Sequence, residues 1–118
     1  MTAITNILIG IVALLHLYFL VLEMFLWDKP TGLRTFGHDP DFARKSKALA
    51  MNQGLYNGFL ALGLAWGLSL GAGGDAIKIF FLACVVAAGV FGGLSVHRKI
   101  LLIQALPALV ALLLLVLS

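Results

Sequence analysis

The sequence predicts an all-α integral membrane bundle of four transmembrane helices, forming one domain over residues 1–118. Three observations carry that expectation. Residues of the hydrophobic class make up 62% of the chain and charged residues only 11%, with a mean hydropathy of +1.08. A soluble domain is nearer half apolar and a quarter charged. Four stretches are apolar over roughly 20 residues, the helical length that crosses a bilayer core about 30 Å thick. The basic residues are also segregated into two links between those stretches.

Taken in order, the first helix is expected over about residues 3–27, and the second over 40–70. The third covers 76–96 and the fourth 100–117, with a loop at 28–39. Inside a bilayer each backbone amide must be paired within its own segment, so these stretches are helices and not isolated strands. The first stretch lacks the basic leader and small-residue cleavage site of a signal peptide, and is expected to be retained. Asp39 followed by Pro40 has the pattern of an N-cap with proline at the first helical position. Gly71-Ala72-Gly73-Gly74-Asp75 and His97-Arg98-Lys99 are short turns.

Short links make successive helices antiparallel neighbours. The first and third links then lie on one side of the membrane. They carry Lys29, Arg34, Arg44, Lys45, Lys47, Arg98 and Lys99, whereas the opposite side carries Lys78 alone. The positive-inside rule places those two links in the cytoplasm and both termini on the non-cytoplasmic side. The expected location is the bacterial cytoplasmic membrane, with the lipid bilayer as the first partner and a homo-oligomer as a further one. The pI near 9.4 follows from those basic links. The chain carries no nucleic-acid signature, so no nucleic-acid partner is expected. Cys84 is the only cysteine, which excludes an intramolecular disulfide and a cysteine metal site.

Polar residues inside apolar spans are the strongest functional pointers in such a chain. The first helix carries His16, Tyr18 and Glu23, and the second Asn52, Gln53, Tyr56 and Asn57. The fourth carries Gln104. Helical rise places Glu23, Asn52, Gln53 and Gln104 about 6–9 Å below the cytoplasmic interface, and His16, Tyr56 and Asn57 about 14–16 Å below it. His16 and Glu23 are seven apart and share a face. Asn52 and Tyr56, like Gln53 and Asn57, are four apart and form a stripe. The expectation is a cytoplasm-facing polar pocket lined by His16, Glu23, Asn52, Gln53, Tyr56, Asn57 and Gln104, with His97 near its mouth. Each has a plainer reading as well. Gln104 serves as interhelical glue, Tyr18, Trp27 and Trp66 as interfacial aromatics, and the glycines of the third helix as close-packing positions.

The stretch His16-Leu17-Tyr18-Phe19-Leu20-Val21-Leu22-Glu23-Met24-Phe25-Leu26-Trp27 resembles the opening of a bacterial family of small membrane proteins, domain of unknown function 1304. Asn52-Gln53-Gly54-Leu55-Tyr56-Asn57-Gly58-Phe59-Leu60-Ala61 resembles the same family. The likeness covers almost the whole chain and implies a four-helix bacterial membrane protein. It implies no substrate or cofactor. A looser likeness is to the four-helix glutathione-using membrane enzymes, whose second helix opens on a basic-then-Asn pattern like Arg44, Lys45 and Asn52 here. The glutamate usual in that helix is absent. Small multidrug transporters share only size, helix count and a first-helix Glu.

Three functions follow from these residues. The pocket binds or transports a small amphipathic molecule, with Glu23 exchanging protons. Alternatively, His16 and Glu23 are the acid–base pair of an intramembrane enzyme. In the third reading the polar residues only fix helix packing in a structural or accessory subunit. No metal is expected, because His16 and Glu23 fit no standard ligand motif. The sequence names no catalytic residue and no cofactor.

Overall fold

A computed structural model of the chain describes residues 2–118, and it is all-helical among the described residues. Helix α1 spans Thr2–Met24, a short α2 spans Pro30–Phe36, and α3 spans Pro40–Ser69. A 3-10 turn at Gly71–Gly74 leads into α4, Asp75–Ser95. A π-helical turn at Leu101–Ala105 then opens into α5, Leu106–Leu117. Two segments, Thr2–Met24 and Gly71–Ser95, are long and apolar enough to cross a membrane, and Leu101–Leu117 is a shorter apolar helix. At 30 residues α3 is the longest element. Its apolar character is interrupted by the charges at its start and by Asn52, Gln53, Tyr56 and Asn57.

Two compact units make up the chain. The first comprises residues 1–14 and 60–118, the second residues 15–59. The core of the first unit joins Ile9, Val12 and Ala13 of α1, Leu64 of α3, Leu82 and Val85 of α4, and Ala108 and Ala111 of α5. Small residues set its helix spacing. A Cβ on Gly89 would lie 2.6 Å from the backbone nitrogen of Ala105, and one on Gly93 would lie 2.2 Å from the Leu101 side chain. These pairs place α4 antiparallel to the segment that follows it. The π turn ends two residues before Pro107, which has no N–H to return to an upstream carbonyl. Widening the helix by one residue there accommodates the missing bond.

The second unit is the C-terminal part of α1, α2 and the N-terminal part of α3. A Cβ on Gly54 would lie 2.6 Å from the Met24 side chain and 3.1 Å from the Glu23 Cβ. Only glycine permits this approach of α3 to α1. Asp39 caps α3, its Oδ1 accepting from the Phe42 backbone N–H at 2.8 Å.

Two expectations are corrected. The first helix stops at Met24 and not at Trp27. The 28–39 link is not an irregular loop, because it contains α2. Pro30 at the first turn favours the start of α2, and Gly37, at φ 67°, ends it in the left-handed conformation. Gly32 has no room for a side chain, since a Cβ there would sit 2.0 Å from the Leu26 carbonyl oxygen. The chain therefore folds back tightly as it leaves α1.

Candidate functional site

The second unit brings together one pair of the residues singled out from sequence. The Asn57 side-chain amide donates to Glu23 Oε1, joining α3 to α1. Asn57 is only 6% exposed and Glu23 is half-buried. Gly54, about one turn earlier, and Gly58, the next residue, let the Asn57 backbone come close enough to reach. His16 lies two turns back along α1 and is fully buried. Its ring packs edge-on against Phe19, at a centroid distance of 5.3 Å.

The rest of the expected stripe does not join that pair. Asn52 and Gln53 are exposed, and Tyr56 is 52% exposed, its ring edge-on to Phe59. The buried positions of this half of α3 are Ala43, Ala50, Gly54, Asn57 and Gly58. Asn52 and Tyr56 stand on the opposite arc, and Gln53 at its edge. A four-residue spacing aligns Gln53 with Asn57 only approximately, and the 40° drift per four residues suffices to put them on different sides of the contact boundary. Gln104 belongs to the first unit, inside the π turn, where it is half-buried. His97 is exposed and accepts the Lys99 backbone N–H at 3.0 Å through Nδ1.

Two constellations escaped the sequence reading. The first surrounds Trp27, just beyond α1. Its Nε1 donates to Ser46 Oγ at 3.0 Å, and its ring lies 4.4 Å from His38 and 4.7 Å from Phe36. The Phe36 and His38 rings are stacked at 5.8 Å. Beside this cluster Lys47 donates to Asp28 Oδ2 at 3.2 Å. That hydrogen bond holds the Asp28 carboxyl below the ordinary carboxylate range, aided by the nearby Lys47 and Lys29 charges and opposed by partial burial. Trp27 signals an interface in sequence, but nothing there shows that α2 folds back against it.

The second constellation is in the first unit. Lys78 is 2% exposed. Its Nζ donates to the Gly71 carbonyl at 3.2 Å, to Asn6 Oδ1 at 3.3 Å and to Asp75 Oδ1 at 3.5 Å. Three acceptors match the three donors of an ammonium. These groups line a cavity of about 230 Å³ together with Thr5 and Ser118. The i, i+3 spacing of Asp75 and Lys78 was visible in the sequence. The partner Asn6, far away in the chain, was not.

The model of a protein family described as of unknown function, DUF1304, matches residues 10–116. The chain belongs to the DUF1304 family. A relative within reach of this DUF1304 chain is the uncharacterized protein YpaA of Lactococcus lactis subsp. lactis (strain IL1403). It is 32% identical over 114 residues, covering 95% of this chain and 96% of YpaA. No solved structure matches the chain. Residues 10–116 include the Glu23–Asn57 pair of this DUF1304 protein, and Lys78, Gly71 and Asp75 of the second constellation, while Asn6 precedes the matched region.

Proposed function

We propose that this protein is a four-span protein of the bacterial cytoplasmic membrane that works as a non-catalytic assembly subunit, holding another transmembrane helix against α3. The observation that carries the reading is the division of the polar residues of α3. Asn57 faces inward and is paired, whereas Asn52, Gln53 and Tyr56 face outward. Polar side chains within a span that face away from their own fold call for partners, since lipid tails offer none. The pair at Glu23 acts as a fastener between α1 and α3 in this account, and is not a catalytic dyad.

Four spans and a cytoplasmic location for both basic links support each other. In the test, Asn52 and Gln53 are both replaced by leucine, and the native mass is measured after mild detergent extraction. The reading requires the wild-type assembly to exceed one chain, and the double variant to fall toward one chain with its melting temperature unchanged. A wild-type protein that is monomeric in the bilayer contradicts it.

One observation favours a second reading. Glu23 is half-buried inside a helix apolar enough to span a membrane, so its carboxyl stays reachable. A small amphipathic molecule with a donor at its polar end would fit that group and Asn57. Mass spectrometry of purified protein tests this. A small molecule retained by wild type and lost in Glu23→Gln supports binding, and identical spectra contradict it.

A further inference from the structure

We infer that the helix held against α3 is α3 of a second copy of this chain, in a parallel two-fold pair whose axis is normal to the membrane. The inference rests on the reading of α3 as a span with an outward partner, and it adds the partner's identity. Leu49, Asn52, Tyr56 and Phe59 follow one another at spacings of three, four and three residues. All four are exposed, Leu49 at 76%, Tyr56 at 52% and Phe59 at 49%. That is the spacing of a seam between two helices packed at a shallow angle. Gln53 flanks it.

The choice of a second copy follows from depth and from chemistry. Two copies inserted in the same orientation carry their polar residues at the same depth, so a two-fold axis along the membrane normal sets Asn52 against Asn52 and Tyr56 against Tyr56. A side-chain amide holds both donors and an acceptor, and a phenol holds one of each, so each of these groups satisfies its own copy. A single asparagine in such a seam favours a parallel, in-register pair. The glycines of this half of α3, Gly54 and Gly58, are already occupied by Met24, Glu23 and Leu20 of α1. The outward face therefore depends on polar contacts, not on close backbone approach.

The experiment uses single cysteines in a Cys84→Ala background, oxidised in native membranes. Cysteine at Leu49, Asn52, Tyr56 or Phe59 is expected to give a disulfide-linked product of twice 12.6 kDa. Cysteine at Leu14 of α1 or Phe91 of α4, exposed positions off the seam, is expected to give little. With a reporter cysteine at Leu49, which leaves the polar residues intact, replacing Asn52 and Gln53 by leucine should weaken the dimer about tenfold. Photo-crosslinking from position 49 to a different protein, with no product of twice the chain mass, overturns the second-copy proposal and leaves the assembly reading standing. Equal cross-linking at all positions, or none on the seam, overturns the proposal too. A wild-type native mass of one chain removes the assembly reading itself.

Discussion

Asn57 of α3 donates its side-chain amide to Glu23 of α1, across 34 residues of sequence. Asn57 is buried and Glu23 half-buried, so truncating one leaves the other without its partner. Asn57→Ala is expected to cost about 1–3 kcal/mol, the penalty for orphaning a buried polar group. Glu23→Gln keeps a carbonyl acceptor at the same place and should melt near wild type, while Glu23→Lys confronts the Asn57 amide with a donor and should fail to assemble. Thermal unfolding in detergent checks all three. Equal stability of the three variants would show that the pair fastens nothing.

Two glycines give opposite expectations. Gly89 faces the Ala105 backbone at a distance that excludes a side chain, so Gly89→Val should lose about 1–3 kcal/mol through overpacking. A Cβ on Gly10 meets nothing within 4 Å. Gly10→Ala should instead gain up to about 1 kcal/mol from helix propensity. Melting temperatures of both variants in one detergent make the comparison.

Lys78 is satisfied by Gly71, Asn6 and Asp75. Lys78→Met strips three acceptors of their donor and is expected to destabilise by about 1–3 kcal/mol. Asp75→Asn should cost less, because the Asp75 side chain is 50% exposed and water replaces part of what it loses. Unfolding measured side by side should rank the two in that order.

Asp28 gives a pH dependence whose sign is fixed. Its carboxyl is held below its ordinary value of 3.8, chiefly by the Lys47 hydrogen bond. The folded state thus releases this proton more readily than the unfolded state. The resulting stabilisation is present at neutral pH and disappears as pH falls below about 4 toward the lower folded value. Asp28→Asn should flatten that acid limb, and added salt should shrink the wild-type effect. Melting curves from pH 3 to 7 test it.

The helical class was legible because every long apolar run shares one cause, the need to pair backbone groups in a span. The Asp39 cap and the short turns at 71–74 and 97–99 were legible for local reasons. Helix α2 was read as a loop, although Pro30 at its start and Gly37 at its end are the local signals that bound it in the structure. The candidate site was harder. Depth counting put Glu23 in the upper layer and Asn57 in the layer below, yet their side chains meet. It could not tell which side of α3 faces α1, since that choice is set by Gly54 and Gly58, whose small size draws the helices together. Asn52, Gln53 and Tyr56 consequently stand outside the contact. Lys78 was read only as a topological charge, because its partner Asn6 is remote in sequence.

The topology underlies every functional statement here, and one labelling experiment tests it. Single cysteines at Thr35 and at Gly73, both exposed, are treated in intact cells with a membrane-impermeant thiol reagent, in a Cys84→Ala background. The account predicts that Gly73→Cys is labelled and that Thr35→Cys is labelled only after the cells are opened. Labelling of Thr35→Cys in intact cells with protection of Gly73→Cys would contradict it.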